Sequence, residues 1–190
     1  MDQGAQDYLR YLQGDDDGLV SIIETYKDRL IFYLFSFVKD IYIAEDLAED
    51  VFFKLAIRKA PFRGKSTFQT YLFAIARNQA IDYLRRAKRI KALSERIQVE
   101  IKHEENPEEL FLREENVRVL HRAMEKLSTD YRDVLFLSYF QSLAVDEICR
   151  VMKKTKKQTE NLLYRAKLAL KKELNEIGYR IVTDIGDVKR

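Results

Sequence analysis

Apolar residues in this chain recur three and four positions apart from Ile22 to Leu170, and nowhere do they alternate as a half-buried strand requires. Only two Pro and six Gly interrupt 190 residues, so few positions force a helix to break. The expected fold is all-α. Leu19 to Val38 carries Ile22, Ile23, Tyr26, Leu30, Tyr33, Leu34 and Phe37 at helical spacing behind Asp17, a side chain suited to cap the helix start. A second helix over 43–58 turns Leu47, Val51, Phe52 and Leu55 inward and Glu45, Asp46, Glu49 and Asp50 outward. Pro61 and Gly64 mark a loop. Ser66 and Gln69 then form a capping box opening a third long helix over 67–89.

That third helix mixes rings and cations. Phe68, Tyr71, Phe73 and Tyr83 lie among Lys65, Arg77, Arg85, Arg86, Lys88 and Arg89, while Leu72, Ile75, Ala76 and Leu84 can face a core. Some of the rings must be core; exposed ones could stack unpaired bases while the cations follow the backbone. Charge along the chain falls into blocks: a net of +9 over 58–91, −5 over 92–115 and +7 over 153–172, within a total of only +3. Two basic blocks flanking an acidic one read as two nucleic-acid surfaces on an acidic connector. The connector contains Pro107 and no sustained apolar face. The expected organisation is therefore two small helical domains, 1–89 and 110–178, joined by a charged linker over 90–109 and followed by a tail over 179–190. Helices over about 108–127 and 130–140 should build the second core from Leu120, Met124, Leu127, Val134, Leu135 and Leu137, joined by Ile148, Leu163 and Ala166.

The end of that domain carries the sharpest motif. Residues 145–152 put Val145, Ile148, Cys149 and Met152 on one face, and Lys153 and Lys154 separate them from a second helix. Thr155 and Gln158 form a capping box, so that helix should begin at Lys156. Thr159, Leu163, Ala166 and Leu170 recur on its inner face, leaving Lys156, Lys157, Gln158, Glu160, Asn161, Tyr164 and Arg165 outward. Two short helices and a tight turn spell helix-turn-helix, whose second helix lies in the major groove. Gln158 and Asn161 suit adenine, and the lysines suit phosphates. An ordinary helical hairpin with a solvated basic face is the plainer alternative.

Other chemistries find little support. Cys149 is the only cysteine, and His103 and His121 the only histidines, so no zinc spacing can be built and no internal disulfide can form. A calcium loop from Gln13 to Glu24 has Asp15, Asp17, Gly18 and Glu24 at suitable offsets, but Gln13 replaces the first ligand. No phosphate-cradling glycine loop or paired nucleophile and base appears, so no catalytic residue, metal or cofactor is expected. With no long uncharged apolar run and no signal pattern, membrane insertion is not expected and the location should be cytoplasmic.

Three motifs together resemble a known family: AEDLAEDVF at 44–52, YLFAIARNQAIDYLRR at 71–86, and TKKQTENLLYRAK at 155–167 preceded by LAVDEICRVM at 143–152. In this order they resemble bacterial RNA polymerase sigma factors of the extracytoplasmic-function group of the sigma-70 family. The resemblance implies a factor that binds core RNA polymerase, directs it to promoter DNA and assists melting. It implies that Asp46, Glu49 and Asp50 dock on the polymerase. Lys65, Tyr71, Asn78, Arg85 and Arg86 would hold the minus ten element, and Lys154, Lys156, Lys157, Gln158, Glu160, Asn161 and Arg165 would read the minus thirty-five element. The linker would thread towards the RNA exit path, and an anti-sigma factor is an open further partner. Glu49, Tyr71, Ala144, Lys153 and Glu160 stand where the family often has Gln, Trp, Ser, Gly and Lys. A freestanding helix-turn-helix regulator is the rival reading, and it leaves the acidic and aromatic segments without a task.

Overall fold

A computed structural model describes residues 2–60, 62–94 and 115–178, and these residues are helical with short connections. The helices are α1 (Gln3–Leu12), α2 (Asp17–Val38), α3 (Ile41–Arg58), α4 (Phe68–Ser94), α5 (Glu115–Glu125), α6 (Thr129–Leu135), a π-helical turn (Phe136–Phe140), α7 (Val145–Met152) and α8 (Lys156–Glu176). They fall into two compact units. The first comprises Met1–Asn106 with Leu143–Lys154, the second Pro107–Ser142 with Thr155–Arg190. Of the expected linker over 90–109, residues 90–94 continue α4, and the rest of it and the tail over 179–190 lie outside the described residues.

In the first unit α2, α3 and α4 pack on one another and α1 closes the bundle. Leu30, Tyr33, Leu34, Val51, Phe68, Leu72 and Phe73 are wholly removed from water, each contributing about 1.5–3 kcal/mol through burial. Tyr33 meets Phe37 edge-on at 5.2 Å and Phe73 at 5.0 Å. The rings interlock rather than line a surface.

α1 was not legible in the pattern, because its apolar face is made of Ala5, Tyr8 and Tyr11 in a polar stretch. The Tyr8 hydroxyl donates to the Ala60 carbonyl at 3.0 Å, and that of Tyr11 to Ala56 at 3.0 Å. Burial pushes the Tyr8 phenol up to about 12, so it remains a donor. One carboxylate ties two helix starts: Asp2 Oδ1 accepts from the Ala5 N–H at 3.0 Å and Oδ2 from the Phe68 N–H at 2.9 Å. Gly18 lets α1 approach α2, since a Cβ there would lie 2.3 Å from the Asp7 carbonyl oxygen.

Helix starts differ from expectation by one or two residues. Asp17 is the first helical residue of α2 rather than its cap, and its N–H donates to Asp15 Oδ1 at 3.1 Å. Residues 17–24 are helical, which removes the loop that a calcium site would need. α3 begins at Ile41 behind Asp40, which accepts from the Ile43 N–H at 3.1 Å. α4 begins at Phe68 behind Thr67, whose Oγ1 accepts from the Thr70 N–H at 3.2 Å, while Ser66 donates to the Thr67 carbonyl. Thr67 therefore caps the helix in place of Ser66 and Gln69.

The second unit packs α5 and α6 against α8 around Ala123, Met124, Leu127, Val134, Leu137, Ala166 and Leu174. Lys126 and Glu173 pair at 3.4 Å. Leu120 and Leu163 are only half-buried. Expected as one helix, residues 130–140 instead pass from α into π form at Phe136, stacking Phe136 on Phe140 at 5.0 Å. Ile148 is fully buried, but it belongs to the first unit, where α7 packs on α4. The compact units thus depart from the expected 1–89 and 110–178 division at Leu143–Lys154.

Candidate partner and nucleic-acid interfaces

α3 presents its acids as a ridge. Asp46, Glu49 and Asp50 are spaced to share one helix face, and all three are exposed beside Glu45. Phe53 and Ile57 continue the same face and stay 62% and 64% exposed, a large apolar cost in a free protein. An open groove of about 980 Å³ runs along this ridge, between Leu19, Ile23 and Ile31 of α2 and Asp46, Glu49 and Phe53 of α3. A second groove of about 470 Å³ lies on the other side, where Asp46, Asp50 and Lys54 face Gln79, Tyr83 and Arg86 of α4. Lys54 donates to Gln79 Oε1 across it. Asp46 and Asp50 border both grooves.

Sequence reasoning found the acids and missed the apolar partners. The signal was available: Tyr42, Asp46, Glu49, Phe53 and Ile57 follow the spacing of a single outward face. Phe52 is buried as its spacing predicts, and Phe53 next to it is exposed.

On α4, Tyr71, Asn78 and Arg85 stand seven residues apart, so they lie nearly in line over about 21 Å of helix. Arg86 is turned round the helix towards α3 and borders the second groove. Lys65 is exposed in the loop before α4. Tyr71 is half-buried in a ring cluster, 5.7 Å from Phe62, 6.0 Å from Phe68 and 6.4 Å from Tyr8. Burial raises its phenol pKa, with Arg58 acting in the opposite sense. Arg85 and Asp82 pair at 3.5 Å with both side chains more than half exposed, a contact worth little in water.

A platform of four α4 rings is not present. Phe68 and Phe73 are fully buried, Phe68 against Tyr8 of α1 and Tyr26 of α2 and Phe73 against Tyr33 of α2, so of the four only Tyr71 and Tyr83 keep surface. Arg77 is also buried, at 8% exposure. Phe62, from the preceding loop, was missed; its ring joins Tyr71 from outside the helical pattern.

α8 begins where its box predicts. The Thr155 N–H donates to Gln158 Oε1 at 2.9 Å, and the Gln158 N–H donates to Thr155 Oγ1 at 3.3 Å. Lys156, Lys157, Gln158, Glu160, Asn161 and Arg165 are exposed, Lys154 is half-buried, and Thr159 and Ala166 are buried. Tyr164, 65% exposed, lies on the face of Lys157, Glu160 and Asn161. The turn before α8 is strained. Lys153 ends α7 at φ 54°, its N–H bonded to the Cys149 carbonyl, where a side chain costs roughly 1–2 kcal/mol. At the other end of α7, Ala144 has no capping oxygen, and Glu147 Oε2 accepts its N–H at 3.1 Å, half of a capping box.

A chain whose described residues are helical, with a capped basic helix in one unit and an acidic, apolar-flanked ridge in the other, has surfaces suited to DNA and to a protein partner. No described helix is long and apolar enough to cross a membrane. The profile of Sigma-70 region 2 matches residues 22–90, and that of Sigma-70 region 4 matches residues 118–170. The chain is 26% identical over 168 residues to the ECF RNA polymerase sigma factor SigX of Bacillus subtilis, covering 86% of this chain and 87% of that one. It is 30% identical over 134 residues to the ECF RNA polymerase sigma-E factor of Escherichia coli K12, covering 66% of this chain and 70% of that one. Its fold is similar to that of the sigma factor RpoE, solved in complex with the anti-sigma factor NepR from Bartonella quintana. There the TM-score is 0.68 at 19% identity, over 84% of this chain and 98% of that one. The chain belongs to the extracytoplasmic-function sigma factors of the sigma-70 family, the subunits that direct RNA polymerase to promoters.

Proposed function

We propose that this sigma factor docks on core RNA polymerase through the α3 ridge and recognises promoters through two separate DNA surfaces. The observation that carries the reading is the ridge itself: Asp46, Glu49 and Asp50 exposed on one face with Phe53 and Ile57. Acids supply steering and register against a basic partner, and exposed apolar side chains supply the buried area of a stable interface. A freestanding regulator would have no use for such a face.

Lys65, Tyr71, Asn78, Arg85 and Arg86 take the minus ten element in this reading. Tyr71 offers a ring edge for stacking, Asn78 a hydrogen-bonding amide in line with it, and the arginines hold phosphates of the opened strand. Stacking of unpaired bases offsets the lost pairing and so favours melting. Lys154, Lys156, Lys157 and Arg165 hold minus thirty-five phosphates, while Asn161 and Glu160 reach base edges. Gln158 is the weaker candidate for adenine, since its Oε1 is turned back to the Thr155 N–H. The domains act as 1–89 and 110–178 when on DNA, and the linker over 90–109 threads towards the RNA exit path.

We assign no catalytic step to the chain; bond formation belongs to the polymerase. Work at the chromosome places it in the cytoplasm. An anti-sigma factor is the further partner we propose, because the exposed Phe53 and Ile57 need cover when polymerase is absent, and the similar RpoE fold was solved with such a factor bound. Reconstituted transcription tests the reading. Purified core polymerase should initiate at specific promoters only when this chain is added, and failure of the chain to bind core polymerase would reject the docking assignment.

A further inference from the structure

α1 reaches both ends of the connection between α3 and α4. On the α3 side the Tyr11 hydroxyl donates to the Ala56 carbonyl and that of Tyr8 to the Ala60 carbonyl, each at 3.0 Å, at and just beyond the last helical turn, where carbonyls lack an internal partner. On the α4 side the Asp2 carboxylate accepts from the Phe68 N–H at 2.9 Å, one of the donors that a helix start leaves free. Ala60 and Phe68 are eight positions apart, so one short helix fixes both the departure and the return of the chain. Lys59, which turns the chain out of α3 at φ 41°, places its Nζ 4.7 Å from the centre of the Tyr11 ring. Gly4 permits the approach, since a Cβ there would lie 2.7 Å from Tyr26 Oη and 2.8 Å from Phe68 Cδ1.

The same helix supplies the floor of the ring cluster. Tyr8 and Phe68 are wholly buried with ring centres 5.3 Å apart, and Tyr8 lies 6.4 Å from Tyr71. Phe62, from the connection, meets Tyr71 at 5.7 Å. Lys65 thus stands between the two points that α1 holds, and Tyr71 stands in the first turn of α4. A cation for a phosphate and a ring for a base act on one strand only when their separation is held, to within about 0.5 Å in a well-organised site. We propose that α1 is a bracket for minus ten reading, with Asp2 and Tyr8 as positioning residues that set Lys65 and Tyr71 relative to one another. The inference rests on the reading of Lys65 and Tyr71 as minus ten contacts. Tyr8 has no exposed surface, so it acts only through the groups it holds.

The test uses holoenzyme of core polymerase and the full chain, on a promoter that the wild-type chain selects and on the same promoter with its downstream block substituted. The ratio of initiation from the two is the minus ten preference. Tyr71→Ala comes first: a preference that it leaves intact rejects the minus ten reading of Tyr71 and the bracket with it. With that reading upheld, Tyr8→Phe, which keeps the ring and removes one bond, should lower the preference about three-fold, and Asp2→Ala about ten-fold, the range expected for neutral and charge-assisted hydrogen bonds. Preference at the upstream block should stay unchanged in both. Leu34→Val, a core loss towards the end of α2, should leave the minus ten preference as it is, which separates positioning from general stability. In the free chain, amide exchange over 62–67 should become about ten-fold faster in both bracket variants, with α8 exchange unchanged. An intact minus ten preference in either bracket variant, unchanged exchange over 62–67, or an equal fall in Leu34→Val overturns the bracket while leaving the minus ten reading in place.

Discussion

The two units present charge in different ways. In the first, the acids and the line of Tyr71, Asn78 and Arg85 stand on helices locked by interleaved rings, with Tyr33, Phe68 and Phe73 fully buried. In the second, a smaller core of Ala123, Val134, Leu137 and Ala166 carries one helix that exposes Lys156, Lys157, Asn161 and Arg165 together with Tyr164 and Leu168. In the reading proposed above the first surface docks polymerase and holds opened DNA, and such a task benefits from rigid support, because any give in the support loosens its contacts. A helix that enters a preformed groove needs mainly its own geometry and a sound start, which the Thr155–Gln158 box supplies.

Substitutions can break or sharpen that contrast. The largest effect is expected at the ridge: Asp46→Lys with Asp50→Lys should weaken core polymerase binding about 100-fold while leaving the melting temperature near wild type, since both carboxylates are exposed. Surface plasmon resonance and a thermal melt measure the two sides. Loss of folding would mean that the ridge is structural. Next comes Gly18→Ala, which forces a Cβ against the Asp7 carbonyl oxygen and should cost about 1–3 kcal/mol in the first unit alone. Residue-resolved amide exchange would reveal a uniform loss across both units if this were wrong. Asn161→Ala should cost about 1–3 kcal/mol of discrimination at one minus thirty-five position, leaving the salt dependence of binding unchanged. The smallest effect is at the strained turn. Lys153→Gly relieves a left-handed backbone and should add about 1 kcal/mol of stability in a denaturant titration.

Much of this was written in the chain. Helical spacing gave α2, α3 and α8 because their inner faces are built from Leu, Ile, Val and Phe, whose burial dominates packing. α1 escaped because tyrosines carry its core face and the stretch around them is acidic and polar. Cap positions slipped at Asp17 and Ser66, where neighbouring residues, Asp15 and Thr67, have equally suitable oxygens and only the backbone turn decides between them. Spacing placed the acids on one face, but it could not tell which α4 rings faced the core, since a helix with apolar residues on several sides has no single inward direction. The packing of α7 on α4 lay beyond local pattern altogether, resting on hydroxyls and a carboxylate some 80 residues apart.

In the proposed function, promoter choice has two independent readers on one factor. Initiation by core polymerase with this chain, selected from a random promoter library and repeated with Asn161→Ala, tests it most directly. Two enriched sequence blocks are expected in the selected promoters, with the variant altering only the upstream block. A single enriched block, or a variant that alters both, would contradict it.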